Sequence, residues 1–313
     1  MHYRPEVLDV IPSPLLAIGA LAESMPGAIK LCYGESDLST PEFISRAAYD
    51  AALAGHTYYT TTAGYIELRQ AIADKIQALH GIEYRPTEIM STVGASMGIF
   101  TAIRALVGPG DNAVVVSPAY SIFTNAVILA GAEPRSVPLV RSADCYVLDV
   151  DRVRRAVDAR TRLLVVNSPS NPTGWIVGDE EQRALVALAV EHDLLILSDE
   201  VYERIVYDRR VARSFACAAR EAGERDRVIV VNSFSKTYNM TGWRLGWVQA
   251  SERTIRLMAG AAEFMTSNAA SMVQQAGIVA CAMASRSSMS CARTTRRVAS
   301  RRCAPLPRCP GLH

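Results

Sequence analysis

The sequence contains little lysine and none of the common short nucleotide-binding motifs. Lysine occurs only at Lys30, Lys75 and Lys236, and arginine supplies the other basic side chains. Neither GxGxxG nor GxxxxGK[ST] occurs, which argues against dinucleotide or P-loop binding of those types. The seven cysteines form no CxxC pair and no His/Cys cluster, so we expect free thiols and neither a disulfide framework nor a metal site.

The sequence also lacks an apolar run of about 18 residues, the length needed to cross a membrane. Its first residues, MHYRPEVLDVIPSP, place acids and prolines where a secretory signal needs a basic start and an apolar core. We therefore expect a cytoplasmic protein with no membrane partner. Half of the 313 residues are hydrophobic, which is enough to bury a large core in one big domain or two unequal ones.

The net charge of +2 is unevenly distributed along the chain. Residues 282–313 contain seven arginines and no acid, so residues 1–281 carry 26 basic and 31 acidic side chains. The body of the protein is mildly acidic, and we expect no nucleic-acid partner for it.

Four apolar runs, each followed at once by small or polar residues, predict buried strands. They span residues 112–120, 161–174, 193–202 and 227–236. Their continuous Val, Leu and Ile, without alternation, are typical of a parallel sheet covered by helices on both faces. Helical patterns lie between them, and an apolar stripe running from Tyr65 to Leu79 predicts a helix capped by Gly81. The predicted fold class is α/β.

Polar side chains gather where these predicted strands end. They are Tyr120, residues 167–171, Asp199 with Tyr202, and residues 233–236, while Arg244 follows eight residues after Lys236. Ligands of open α/β sheets bind beyond the carboxyl ends of the strands, so we expect these groups to converge on one cleft.

At this point the sequence resembles the class I/II aminotransferases, pyridoxal-phosphate enzymes of fold type I. The resemblance runs from about residue 30 to 281 and rests on ordered motifs: GESDLSTP, YYTTTAGYIELRQAI, VGAS, SPAY, NSPSNPTG, SDEVYERIVY and SFSKTYNMTGWRLGW. It implies a mostly parallel central sheet flanked by helices, a pyridoxal 5′-phosphate cofactor, and transfer of an amino group from an amino acid to a 2-oxo acid.

The resemblance also assigns catalytic roles. Lys236 matches the lysine that forms a Schiff base with the cofactor aldehyde and then moves the substrate Cα proton. Asp199 matches the carboxylate that keeps the pyridine nitrogen protonated, so that the ring withdraws electrons. Tyr202 and Asn171 match the donors to the ring 3′-oxygen, whose hydrogen bonds lower the pKa of the Schiff base.

Further positions match cofactor and substrate contacts of the family. The phosphate would be bound at a helix start and by an arginine and two hydroxyls, which correspond to Gly94, Ala95, Ser96, Arg244, Ser233 and Ser235. Tyr120 matches the aromatic ring that stacks on the pyridine. Gly34, with Asn171, matches the substrate carboxylate contacts, and Tyr59 matches a tyrosine that reaches the phosphate of the neighbouring subunit, which implies a homodimer.

The sequence departs from the family pattern after residue 281. We expect an N-terminal arm and part of a small domain at residues 1–40, a cofactor-binding domain at 41–281, and an aberrant basic tail at 282–313, so that the small domain is incomplete. We interpret the tail as an out-of-frame translation of a GC-rich gene; a disordered tail that binds nucleic acid or anionic surfaces is the alternative.

Three functions remain open at this level. The chain could be an active transaminase, a cofactor-binding remnant with impaired catalysis, or a lyase or decarboxylase on the same scaffold. In the family the arginine that grips the substrate α-carboxylate belongs to the C-terminal small domain. We therefore expect the chain to bind pyridoxal phosphate and to transaminate poorly.

Overall fold

The computed structural model describes residues 2–29, 32–142 and 145–284. The predicted tail lies outside the described residues from position 285 onward, and its first three residues belong to the last helix. The helices, in chain order, are α1 Pro5–Leu8, α2 Pro14–Ser24, α3 Glu42–Leu53, α4 Ile66–His80, α5 Gly94–Leu106, α6 Ile122–Leu129, α7 Val150–Ala156, α8 Asp179–Glu191, α9 Phe215–Glu221, α10 Phe234–Thr237, α11 Glu252–Glu263 and α12 Ser271–Ala284.

The main sheet has seven strands in the order β1-β9-β8-β7-β6-β2-β3. The strands are β1 Ile89–Thr92, β2 Asn112–Ser117, β3 Glu133–Pro138, β6 Thr161–Asn167, β7 Leu195–Asp199, β8 Val228–Ser233 and β9 Gly246–Gln249; β4 Val140–Arg141 and β5 Tyr146–Val147 form a separate pair. Strands β3, β2, β6, β7 and β8 are parallel, and β9 runs antiparallel to both of its neighbours, β8 and β1. The predicted α/β class and mostly parallel sheet are therefore confirmed.

The continuous apolar runs are explained by burial on both faces of the sheet. Alternate residues of the central strands enter two separate cores: Val114, Val116, Leu164, Val166, Ile196 and Val230 pack on one face, and Ala113, Val115, Leu163, Val165, Leu197 and Val231 on the other. Each core is closed by helices, so a polar residue in the middle of these strands would lose its water without gaining a partner.

The stripe from Tyr65 to Leu79 forms α4 as predicted. Leu68, Ile72 and Ile76 are buried against the sheet, and Gly81 closes the helix with a left-handed φ of 66°. The four cysteines within the described ranges, Cys32, Cys145, Cys217 and Cys281, are free thiols. No helix among residues 2–29, 32–142 and 145–284 is both long and apolar enough to span a bilayer.

Candidate functional site

The polar strand ends do converge on one cavity of about 310 Å³. Asn167, Asp199 and Ser233 are the last residues of three adjacent parallel strands, and Asn167 pairs directly with Asp199 across the ladder. The predicted site residues that line the cavity are Gly34, Ala95, Ser96, Tyr120, Asn171, Asp199, Tyr202, Ser233, Ser235, Lys236 and Arg244. Of the other two, Gly94 touches Arg244, and Tyr59 lies outside the cavity with 89% of its surface exposed.

Lys236 is presented by the short helix α10, which begins directly after β8. Ser233 caps this helix by accepting a hydrogen bond from the Ser235 amide at 3.0 Å. The Lys236 amine donates a hydrogen bond of 2.7 Å to the carbonyl oxygen of Gly34. Burial lowers the pKa of Lys236, and Arg244 adds to this effect, while the Glu35 and Asp199 carboxylates oppose it. A larger fraction of the amine is therefore neutral, and nucleophilic, than for a lysine in water.

Asp199 is buried at the end of β7, beneath the same cavity. Its carboxylate accepts a hydrogen bond of 3.1 Å from the Val201 amide. Burial raises the pKa of Asp199 to about 7; the Val201 amide and Lys236 oppose this rise, and Glu200 adds to it. A cation that binds beside Asp199 would therefore stabilise the ionised form of its carboxyl group.

Tyr202 lies one turn beyond Asp199 and faces the cavity beside Lys236, whose amine is 5.6 Å from the centre of its ring. Burial, followed by Asp199 and Tyr120, raises the pKa of the Tyr202 phenol, while a hydrogen bond with the Asn171 side chain opposes the rise. The phenol is therefore protonated at neutral pH and can donate a hydrogen bond to a ligand oxygen.

Asn167 joins the two loops that hold Asn171 and Asp199. Its amide nitrogen donates to the Asp199 carbonyl at 3.1 Å, and its side-chain oxygen accepts from the Asn171 amide at 2.8 Å. The separation between the backbone amide of Asn171 and the backbone carbonyl of Asp199 is therefore set by one side chain at a strand end.

The opposite end of the cavity is suited to an anion. Helix α5 begins at Gly94, where φ is 70° and a Cβ atom would lie 2.3 Å from a guanidinium nitrogen of Arg244. Arg244 itself has a left-handed φ of 54° and donates to the Thr241 carbonyl at 2.8 Å. The Ser233 hydroxyl donates to that of Ser235 at 2.8 Å. A helix start, a guanidinium and two hydroxyls together form a strong site for a phosphate or carboxylate.

Several residues that we did not predict also line the cavity, among them Cys32, Tyr33, Glu35 and Thr241. Tyr33 packs on α2, where a Cβ atom at Gly19 would lie 1.8 Å from the phenol oxygen. Tyr33 and Glu35 flank Gly34 in the sequence, and Thr241 lies in the same motif as Arg244. Their closeness in sequence to predicted site residues is the signal that could have identified them. No group of three or more His, Cys, Asp or Glu side chains in the described part of the chain could hold a metal ion.

The buried acid gives a first testable expectation. The folded protein holds the Asp199 proton more tightly than the unfolded chain does, so the parent protein should lose stability as pH rises from the ordinary carboxyl pKa of 3.8 to about 7. Asparagine cannot ionise. The Asp199→Asn variant, without ligand, should therefore become more stable than the parent across this window, by roughly 4 kcal/mol above it. Urea unfolding at several pH values measures this, and parallel stability profiles for the two proteins would contradict it.

The chain is similar in sequence to proteins of known family. Residues 26–302 match the family Aminotransferase class I and II, so the match extends 21 residues past the end that we predicted. The chain is 39% identical over 250 residues to aromatic-amino-acid aminotransferase 2 of Thermococcus litoralis, which covers 80% of this chain and 63% of that protein. It is 34% identical over 284 residues to aspartate aminotransferase of Bacillus subtilis, covering 90% of this chain and 72% of the relative.

Solved structures give the same result for the fold. Aspartate aminotransferase from Thermus thermophilus with maleate superposes with a TM-score of 0.88 at 33% identity, covering 96% of this chain and 78% of that one. N-succinyldiaminopimelate aminotransferase from Mycobacterium tuberculosis gives 0.89 at 31% identity, with 96% and 77% covered. The predicted fold type I architecture is confirmed, although the chain spans only about two thirds to three quarters of the length of these relatives. The chain belongs to the class I and II aminotransferase family.

Proposed function

We propose that the chain is a pyridoxal-phosphate-dependent aminotransferase, which moves an amino group from an amino acid to a 2-oxo acid. The observation that carries the proposal is the position of Lys236. Its half-buried amine, with a lowered pKa, shares one cavity with a buried acid, Asp199, and with an arginine packed on a helix start, Arg244. Family membership supports the same class of reaction.

The side chains of the cavity fit the three reactive parts of pyridoxal phosphate. The phosphate matches the anion corner formed by Arg244, Ser233, Ser235 and the start of α5. The basic ring nitrogen matches Asp199, since a protonated nitrogen is the cation that this buried acid would gain from. The aldehyde matches Lys236, the cavity residue that carries a primary amine.

When bound, pyridoxal phosphate supplies an aldehyde that reacts with amines and a ring that withdraws electrons from the substrate Cα. The residues of the chain then have separate tasks. Lys236 would hold the cofactor through its amine, and its Nζ, when free, would accept the proton from the substrate Cα. Asp199 keeps a proton on the ring nitrogen. Tyr202 and Asn171 donate hydrogen bonds to the ring oxygen.

Substrate would approach between Lys236 and Gly34. A Cβ atom built on Gly34 would lie 3.6 Å from the Tyr202 phenol oxygen and 3.7 Å from the Lys236 amine, so the missing side chain leaves this space open. We propose that the substrate carboxylate lies there, bonded by Asn171. The relatives are named for aspartate, prephenate, aromatic amino acids and N-succinyldiaminopimelate, which makes acidic and aromatic amino acids the first donors to test.

The Gly34→Ala variant should weaken substrate binding and leave cofactor binding unchanged. The added methyl group makes only ordinary contacts with Tyr202 and Lys236, so the variant should fold normally and bind the cofactor as the parent does. The methyl group narrows the path by which the substrate reaches the Lys236 amine, however. The variant should therefore raise KM for the amino acid about tenfold or more. Steady-state kinetics and a cofactor titration measure the two effects. Gly260→Ala on α11, where a Cβ atom would meet no neighbour within 4 Å, is the matched control; equal KM values for both variants would argue against this role.

We also propose that the active form is a homodimer in which Tyr59 reaches the partner subunit's site. Tyr58 and Tyr59 expose 80% and 89% of their surfaces, although aromatic rings are usually buried in a packed core or an interface. Sedimentation velocity decides the assembly, and an active monomer would contradict the proposal.

The activity itself is tested with the full chain reconstituted with pyridoxal phosphate. We expect visible absorbance that changes on addition of an amino acid, with stoichiometric release of the matching 2-oxo acid. Release of ammonia, sulfide or carbon dioxide instead would indicate a lyase or decarboxylase. A chromophore that no amino acid changes would indicate a cofactor-binding remnant.

A further inference from the structure

A buried cluster of charged side chains lies directly behind the residues that face the cavity. Glu203 accepts a hydrogen bond from the Lys75 amine at 2.5 Å and lies 3.1 Å from Nε2 of His80; the two bases are on α4. All three side chains expose 5% of their surface or less. The Lys75 amine also lies 4.5 Å from the ring centre of Trp247.

Neighbouring side chains stabilise the charged forms of His80 and Glu203. Burial alone would lower the pKa of His80, but the Cys217 thiol and the Glu203 carboxylate raise it to about 9. Burial alone would raise the pKa of Glu203, but Lys75 and His80 hold it well below its ordinary value. At neutral pH the cluster is therefore an ion triad with Glu203 at its centre.

The spacing of the chain links this triad to the candidate site. Asp199 and Tyr202, three residues apart, face the cavity, while Glu200 and Glu203, also three apart, are buried behind it. The Glu200 carboxylate accepts hydrogen bonds of 2.9 Å from the Ser198 hydroxyl and the Phe215 amide. In this short segment, Asp199 and Tyr202 therefore line the cavity, while Glu200 and Glu203 are buried and hold the segment in place.

Backbone hydrogen bonds complete the anchor. The Glu203 amide donates to the Glu200 carbonyl at 2.9 Å, and the Ile205 amide donates to the Tyr202 carbonyl at 2.8 Å. Both bonds use the peptide group between Tyr202 and Glu203, so a shift of Glu203 would move this group and Tyr202 with it. Three buried ions are not needed for stability, because well-packed apolar side chains of similar volume often stabilise a core equally well.

We propose that Glu203, through its bonds to Lys75 and His80, is a positioning residue that fixes Tyr202 and Asp199 at the cavity. The role of these two residues toward the cofactor rests on the proposed function, but the positioning itself does not. Removing the charge at Glu203 should loosen the segment 199–205 without opening β7, and should change the environment of a cofactor bound in front of it.

The test compares Glu203→Gln with Glu88→Gln in the full chain. Glu88 is an equally buried glutamate that pairs with Arg225 and Arg85 next to β1, and it does not line the cavity. Both variants should be less stable than the parent. Only Glu203→Gln should speed amide hydrogen exchange in residues 199–205, by about tenfold or more, in the protein without cofactor. With pyridoxal phosphate, only this variant should raise the pH midpoint of the chromophore's absorbance change, because the Tyr202 hydrogen bond is weakened.

A second variant keeps the test decisive if Glu203→Gln fails to fold. The Lys75→Met/Glu203→Leu double variant replaces the ion pair by apolar side chains and should restore folding, yet it should still show fast exchange in residues 199–205. Normal exchange and an unchanged midpoint in either folded variant would overturn the proposal, as would failure of both variants to fold while Glu88→Gln folds. If the parent binds no pyridoxal phosphate, the proposed function fails, and the exchange measurement still decides the positioning role.

Discussion

The Lys236→Ala variant is expected to carry no covalently attached cofactor after borohydride reduction. It should also lose transamination almost completely. The loss should be at least roughly 10²–10⁴-fold, the range for removing a general acid–base group, and larger because the covalent attachment is lost as well. The fold should be unaffected, because the only hydrogen bond that the amine makes among the described residues is to the Gly34 carbonyl. Mass spectrometry of the reduced protein, with activity assays, measures both effects.

Lys236→Arg is the matched control, since it keeps the positive charge but has no amine that can bond to an aldehyde. It should be as inactive as the alanine variant, because the reaction needs the amine and not the positive charge. A reduced cofactor label that persists in Lys236→Ala would place the reactive amine elsewhere and remove the central assignment.

The strand ends and their convergence could be predicted from the sequence because the pattern is local. Each run of Val, Leu and Ile in β2, β6, β7 and β8 stops at a polar residue, and parallel strands necessarily end at the same edge of the sheet. Asn167, Asp199 and Ser233 are therefore neighbours in space although 66 positions separate the first from the last. The edge strands β1 and β3, and β9 beside β1, carry no comparable apolar run and could not be predicted in this way.

The ion triad could not be predicted, because Glu203 is far in sequence from the two bases on α4. Lys75 and Glu203 are separated by 128 positions, and each occurs in a pattern that is also typical of a solvent-exposed helix or turn. The left-handed φ of Arg244 could not be predicted either, because this conformation is rare for a residue with a side chain. Such backbone conformations cost roughly 1–3 kcal/mol and cluster at binding sites.

Arg244→Ala is expected to weaken cofactor binding more than any other single change at the anion corner. The guanidinium packs on the glycine that opens α5, and it is the cationic side chain that lines this end of the cavity. A charged hydrogen bond contributes about 1.5–3 kcal/mol, so losing a bidentate partner should raise the Kd for pyridoxal phosphate by roughly 10–150-fold per bond. Fluorescence titration of the unloaded protein measures this affinity.

Two comparisons make the assignment specific. Arg244→Lys keeps the charge but not the planar fork that matches a phosphate, so its Kd should lie between those of the parent and Arg244→Ala. Asp199→Ala removes the ring-nitrogen partner instead, and should slow proton abstraction more than it weakens binding. If the Kd for pyridoxal phosphate is unaltered in Arg244→Ala, Arg244 does not bind the phosphate. If inorganic phosphate then still competes with pyridoxal phosphate, the serine hydroxyls and the start of α5 bind the anion without the arginine.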